Sequence, residues 1–396
     1  MSSHDWHTDA FPELRAGPPW VMAEMVASQP ALVEALLRSP PSGSAGAATA
    51  IAATLALQQP LTVCGCGTSE HAAHGIAALI AAAAGPERAR LVRARPAFEA
   101  ALDPAPGACL VVSHDGETRA STLAVHAARA AGAHTVAITH RPRSSIADAA
   151  EHVLLTPRHD KSWCHTVAYT SALAAGAALA AQLGPAAATP AAARELLARA
   201  SAPAGAAGVA DRLAERRVVL CAGARADHTT ARELALKIAE GARLATVAFE
   251  LETVLHGALA GHEPADALIL VAITDHAERE RIARRAAHVA RAATIIGLPV
   301  AGLLSEAYDR ALPDELTSAG RLVVSLGDPR SLDPTLAGLL ARAGALQALT
   351  LELTRARHQP RSHPPRGGAL PARGAGGRGV RRVVRARGDD QSLIPG

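Results

Sequence analysis

Two hydroxyl-bearing turns each close an apolar, strand-like run. Cys66-Gly67-Thr68-Ser69 follows LTVCG, and Ser113-His114-Asp115-Gly116-Glu117-Thr118 follows CLVV. A Gly/Ser/Thr turn between a strand and a helix presents backbone N–H groups and hydroxyls at the positive end of the helix, which suits a phosphate or another anion. Either turn taken singly could equally be a capped helix start, because Ser and Thr are favoured there. Farther along, Lys237 and Glu240 stand three apart in ELALKIAE, on one face of a helix. A carboxylate so placed could act as a general base, although an isolated pair of this kind is more often a solvated surface pair. His256 follows Glu240 by sixteen residues and would, alone, be a structural histidine. Lysine chemistry has narrow scope here, since Lys161 and Lys237 are the only lysines beside 38 arginines.

The elements that must position these groups alternate regularly. LTVCGCG, ACLVVSHDGE, HTVAITHR and HVLLTP read as short buried strands separated by helical stretches such as STLAVHAARAAGA. After a Pro/Ala-rich interval the rhythm returns with RRVVLCAGA, ALILVAITD, TIIGLPV and RLVVSLGD as strands, TTARELALKIAEGARL and ERERIARRAAHVARAA as helices, and a long last helix from TLAGLL to TRARH. Such alternation predicts α/β architecture, with parallel sheets covered by helices on both faces and ligands beyond the carboxyl ends of the strands. Two halves of similar length and order suggest an internal duplication. The expected organisation is a helical lead-in over residues 1–49, with Gln29-Pro30 interrupting it. A first domain over 50–182, a linker over 183–205 and a second domain over 206–359 follow, then an Arg/Gly/Pro-rich tail over 360–396 without apolar period. The tail is expected to be disordered.

Composition narrows the classes further. With 49% hydrophobic and 19% charged residues the 396-residue chain can bury a substantial core, but aromatics are only 2%, so packing must rely on close contacts between small side chains. The net charge of +4 misleads, because the tail carries eight arginines against two aspartates, or +6, leaving −2 on residues 1–359. The body therefore gives no electrostatic argument for nucleic-acid binding, and the tail lacks aromatic interleaving. Residues 166–193 contain no charge and exceed a bilayer's thickness, yet they are mostly Ala, Gly and Thr with two prolines, which reads as a buried helix and linker. No membrane partner is expected. The start is polar and acidic, without the basic and apolar regions of a secretory signal. Five cysteines, none in a CxxC pair, suit reduced buried thiols and a cytoplasmic address, and nothing marks a metal site.

Taken in order, the motifs resemble those of the double-SIS (sugar isomerase) family, which includes the isomerase half of glucosamine-6-phosphate synthase and the amino-sugar-phosphate deaminase/isomerases. The resemblance runs over residues 22–357. EMVASQP is similar to the lead-in helix, CGTS to the first hydroxyl loop and SHDGETRAS to the second, usually S-x-S-G-E-T. HTVAYTS resembles a third segment, usually S-T-K-A-[YF]-T. ELALKIAE resembles the A-L-K-x-x-E helix and LHGALA the H-G-P-L-A turn, and the Glu240–His256 interval fits the pattern. The resemblance implies two flavodoxin-like, doubly wound SIS domains, a homodimer and a small sugar or sugar-phosphate ligand. Metals and organic cofactors are not implied. Cys66, Gly67, Thr68, Ser69, Ser113, His114, Asp115 and Thr118 then match the phosphate-holding loops, and His165 the third segment. Glu240 matches the base that moves a proton between C1 and C2, and His256 a ring-opening histidine supplied by the neighbouring subunit. Lys237 matches the lysine one turn before the base.

The departures matter as much. Asp115 stands in place of a serine, and a carboxylate repels a dianion unless it is protonated, turned away or paired. His165 and Val167 replace a serine and a lysine. No lysine follows Lys237, which argues against a Schiff base near the C-terminus, and the chain has no N-terminal cysteine or room for a glutaminase domain. The reading is an isomerase or deaminase working through an enediol or enolamine. The alternative is a non-catalytic sugar-phosphate-binding regulator on the same fold, which a helix-turn-helix segment would usually accompany and which the sequence does not show. The break in composition at residue 360 would also follow from a shifted reading frame, a point that resequencing the gene would decide.

Overall fold

The structure is a computed structural model that describes residues 21–162, 164–184, 189–274 and 277–358. The tail expected to be disordered lies outside the described residues. Two helices, α1 (Val21–Arg38) and α2 (Ser44–Ala56), lead into the strands β1 (Leu61–Gly65), β2 (Val92–Pro96), β3 (Ala108–Val112), β4 (His134–Thr139) and β5 (His152–Leu155). Between and after them run α3 (Thr68–Ala84), α4 (Pro86–Ala89), α5 (Ala97–Leu102), α6 (Arg119–Ala130), α7 (Ser145–Ala149) and α8 (Val167–Ala180). The second half has α9 (Pro190–Ala200) and α10 (Ala206–Leu213), then β6 (Val218–Gly223), β7 (Ala245–Glu250), β8 (Ala267–Ala272), β9 (Val300–Ser305) and β10 (Gly320–Val324). Its helices are α11 (Ala226–Lys237), α12 (Leu251–Leu255), α13 (Arg279–Ile295), α14 (Glu306–Ala311) and the long α15 (Pro334–His358).

Both sheets are five-stranded and parallel throughout, in the orders β2-β1-β3-β4-β5 and β10-β9-β8-β6-β7. Read from the opposite edge, the second order repeats the first. This is the doubly wound, flavodoxin-like arrangement, in which the chain reverses direction across the sheet between β1 and β3 and again between β6 and β8. Of these inner strands β1, β3 and β8 are buried along their whole length and β6 beyond its first residue, as their apolar sequences require. The edge strands β2 and β7 are only partly covered and carry polar residues such as Arg93, Arg95 and Glu250, so they gave no apolar run to read.

Three expectations need correction. TIIGLPV is not a strand: α13 continues to Ile295, Gly297 ends it with φ +85°, and the strand is VAGLLS at 300–305. The helix runs on because its apolar stripe persists into the last turn, and Leu298 N–H closes on Ala293 O in the manner of a glycine helix stop. Pro30 does not interrupt the lead-in; α1 is continuous around it, with Gln29 buried and donating to Gln347 of α15 at 2.6 Å. Within the interval read as a linker, α9 buries Ala193, Leu196, Leu197 and Ala200 in the core.

One apolar cluster runs through both halves, joining α1, α3, α8, α9, α11 and α15 to the inner strands. Close approach of small residues makes this possible. A Cβ on Gly75 of α3 would stand 2.5 Å from Leu173 Cδ2 of α8, and one on Gly176 of α8 would stand 2.5 Å from Ile76 Cγ1. The charge-free segment at 166–193 begins with α8, buried on every side. Among the described residues, α15 alone is long and apolar enough to cross a membrane, and nearly all of it is buried inside the fold.

Candidate active site

The two hydroxyl turns stand at the carboxyl ends of β1 and β3, the strands flanking the reversal point of the first sheet. Gly67 precedes α3, and Thr68 and Ser69 lie in the first turn of that helix. Thr118, the residue before α6, makes no side-chain capping bond to that helix, so its hydroxyl is not explained as a cap. Thr68 and Ser113 are buried, while Ser69 and Thr118 are half-buried. Cys66 is half-buried with its thiol 3.9 Å from Ser121 Oγ, and burial raises its pKa, which keeps it a neutral thiol.

Asp115 is exposed and turned back on its own loop. Its Oδ1 accepts from Ser113 Oγ and from Glu117 N–H, both at 3.2 Å, and Ser113 Oγ also lies 3.2 Å from Thr118 Oγ1. Glu117 in turn accepts from Ser145 Oγ at 2.6 Å. The carboxylate is thus held by loop donors, and no arginine is paired with it among the described residues. A bound anion would have to take over the Ser113 hydroxyl from Asp115.

A buried carboxylate organises the third segment. Asp160 is fully buried and accepts from Ser162 N–H (3.0 Å), Ser162 Oγ (2.6 Å), Thr166 N–H (2.6 Å) and Ala168 N–H (2.9 Å), which ties the loop to the start of α8. Its own N–H donates to His114 Nε2 at 2.9 Å. His114 is therefore neutral, with its proton on Nδ1. Burial first, and then the neighbouring imidazoles, push its pKa down to about 3 against the pull of Asp160. Around it gather His140 (ring centroids 5.3 Å apart), His159 (5.8 Å) and His165 (5.8 Å), with His140 and His159 stacked at 5.2 Å and 9°.

From the second half, α11 brings a buried charge chain to the same region. His71 Nδ1–H donates to Glu233 Oε2 at 2.6 Å, Glu233 Oε1 faces Lys237 Nζ at 3.6 Å, and Lys237 Nζ donates to Glu240 Oε2 at 2.6 Å. Lys237 and Glu233 are fully buried, while about a third of the Glu240 side chain is open. Burial works against the ammonium, but Glu233 and Glu240 outweigh it and hold its pKa well above the usual lysine range. Lys237 is thus a fixed cation and cannot be a neutral amine nucleophile. Glu240 does not continue α11: residues Ile238–Ala242 form a π-helical turn, a feature frequent at functional sites. The third segment touches this turn, for Cys164 Sγ donates to Lys237 O at 3.6 Å. Burial pushes the Cys164 thiol up to about 12 despite Lys237, so it stays protonated.

His256 is not part of this cluster in the single chain. It follows α12, is about 70% exposed, and its Nε2 lies 3.0 Å from Glu252 Oε1. The reversal point of the second sheet is closed from within. There Asp227 accepts from Ile273 N–H and Thr274 N–H and pairs with the buried Arg342 of α15 at 3.2 Å, and Arg342 also bonds Thr274 Oγ1.

The sequence did not single out His71, Glu233, His140, His159 or Asp160. Glu233 and Lys237 are four apart in ELALKIAE, a spacing that placed Glu233 on the base's helix face. The four imidazoles come from three separate loops, and no local pattern announces their stacking.

A family model described as the SIS domain matches residues 54–183. A search of curated proteins finds no match. Among solved structures, the C-terminal domain of glucosamine-fructose-6-phosphate aminotransferase from Francisella tularensis superposes with a TM-score of 0.70 at 15% identity, over 87% of this chain and 98% of that one. Tagatose-6-phosphate ketose/aldose isomerase from Escherichia coli gives 0.66 at 17% identity, over 90% and 100%. Glucosamine-6-phosphate deaminase from Thermotoga maritima gives 0.50 at 17%, over 85% and 95%. With residues 54–183 matched by the SIS-domain model and both sheets sharing the fold of these structures, the chain contains a SIS domain in its first half and is built as two α/β units of that fold.

Proposed function

We propose that this protein is a sugar-phosphate isomerase or amino-sugar-phosphate deaminase, working through proton transfer at Glu240. The observation that carries the reading is the Lys237–Glu240 pair at a π-helical turn. A fixed buried cation sits beside a partly open carboxylate, against the segment that also shapes the hydroxyl loops. The phosphate would lie on the turns at residues 66–69 and 113–118, displacing Asp115 from Ser113. Glu240 would take the proton from one carbon of the C1–C2 pair and return it to the other, with Lys237 offsetting the negative charge of the enediolate. In the deaminase version the enolamine gains a proton, and water then replaces the amine as ammonia leaves. His256 is open to solvent, which suits a ring-opening histidine that serves the partner's site in a homodimer. The names of the similar structures, an isomerase and a deaminase of hexose 6-phosphates, support the substrate class.

The test is exchange of a carbon-bound hydrogen with deuterated water, at C1 of fructose 6-phosphate and at C2 of glucosamine 6-phosphate, followed by NMR. Glu240→Gln is expected to slow exchange by roughly 100-fold to 10,000-fold in a protein that still folds, because the amide oxygen can accept from Lys237 Nζ and Glu233 still faces that cation. Undiminished exchange removes the assignment. The second reading, a non-catalytic sugar-phosphate sensor, draws on one observation: Asp115 already occupies the loop's donors. Binding of these sugars with no exchange in the wild type would favour it.

A further inference from the structure

We propose that the four imidazoles of His114, His140, His159 and His165 form a proton-coupled anion site, which takes up a proton as it binds the phosphate-like dianion of its ligand. The inference rests on the reading of the neighbouring loops as a ligand site and deepens it. A dianion entering the site meets carboxylates, since Asp115 sits on Ser113 Oγ and Glu117 lies beside it in the same loop. From the segment before α8, Asp160 contributes a third, although its oxygens are fully engaged with N–H and O–H donors. The second half adds Lys237, Glu233 and Glu240 behind Cys164.

Against these negative groups the imidazoles are the adaptable charges. His114, His140 and His159 stack at 5.2–5.8 Å, and His165 lies tilted at 59° with its centroid 5.8 Å from His114, close enough that a charge on one ring repels a charge on the next. An anion in contact with the cluster favours the protonated form of the ring that it touches. His114 is committed as an acceptor from Asp160 N–H and remains neutral. His140 has its Nδ1 3.3 Å from Thr156 O, where it acts as a donor, which leaves the opposite nitrogen for the proton. His140 and His165 are half-buried and so reachable from solvent. Both follow or precede elements that border the loop, β4 and α8 respectively.

Sulfate is the probe, because it stays dianionic over the range in which histidine titrates, whereas phosphate does not. Histidine ring resonances and sulfate affinity would be followed by NMR between about pH 8 and about pH 6, against chloride at matched ionic strength. The expected result is binding at least about fivefold tighter at the lower pH, with a raised apparent pKa for one of the cluster's resonances. A His140→Gln/His165→Gln variant should flatten the dependence while keeping its fold. Sulfate affinity that does not change with pH, or no binding at either pH, overturns the proposal. The two readings fail separately. Sugar-phosphate turnover with pH-independent sulfate binding defeats only the proton coupling, and coupled sulfate binding without turnover of any sugar phosphate defeats only the enzyme assignment.

Discussion

Gly67 and Arg225 hold the same backbone conformation, φ 55° and ψ −125°, each as the residue before the helix that follows the first strand of its half. Two residues earlier, Gly65 and Gly223 press equally close on the following helix, so that a Cβ would stand 2.6 Å from Ser69 C and 2.5 Å from Asp227 O respectively. The two halves thus share a turn as well as a strand order, but only one has glycine at the positive-φ position. The first turn is a candidate ligand loop; the second is filled by Asp227 and Arg342.

Arg225 should therefore be a point of stored strain. A non-glycine residue in such a region costs about 1–3 kcal/mol, of which glycine's extra freedom in the unfolded chain returns up to about 1 kcal/mol. Arg225→Gly is expected to raise stability to urea by about 1 kcal/mol. Lower stability would mean that the arginine side chain makes compensating contacts.

Fold and site were legible to different degrees. The inner strands announced themselves because burial on both faces demands an unbroken apolar run, as in LTVCG and ALILVA. β2 and β7 did not, since an edge strand can spend its exposed face on Arg93 or Glu250. Glu240 and Lys237 were readable because helical spacing joins them within one segment. The π-helical turn under Glu240 was not, for it depends on packing against α15, where Gly241 faces Thr350 and Thr354. Asp115 was recognisable as an intruder, but its solution was not: the loop's own donors hold it, and among the described residues no arginine does so. The imidazole stack and the His71–Glu233 contact join residues far apart in sequence, which a single chain read in order cannot pair.

Lys237 supports the fold as well as the chemistry. Removing it as Lys237→Met leaves Glu233 buried with only His71 to answer its charge, and breaking a buried pair in this way costs about 3–5 kcal/mol. The double variant Glu233→Gln/Lys237→Met should recover part of that loss in urea denaturation. If the double variant is no more stable than Lys237→Met, the two groups are not coupled.

Asp160 should be the most sensitive polar position of the first half. Its two oxygens accept four bonds, three of them from backbone N–H groups, so an amide NH2 would face at least one N–H donor in either orientation. Asp160→Asn is expected to cost about 3 kcal/mol and to weaken sugar-phosphate binding, because the N–H that fixes His114 moves with the loop. Calorimetry of the variant would check both, and unchanged binding would separate His114 from the ligand site.

His114 makes the protein acid-sensitive in a defined direction. Its pKa is about 3 in the folded chain and near ~6.5 when unfolded. Between these values the unfolded chain holds a proton that the native state lacks, so stability is intact above ~6.5 and falls as pH drops towards ~3. At pH ~5 the loss from this one group is about 2 kcal/mol. Carboxylates add their own dependence below that point, so the comparison is between wild type and His114→Gln, whose amide oxygen can still accept from Asp160 N–H. The variant should be less stable at neutral pH but lose less on going from pH ~7 to ~5, measured by thermal unfolding. Parallel profiles would show that His114 takes up its proton without unfolding, and that its burial is weaker than the Asp160 contact implies.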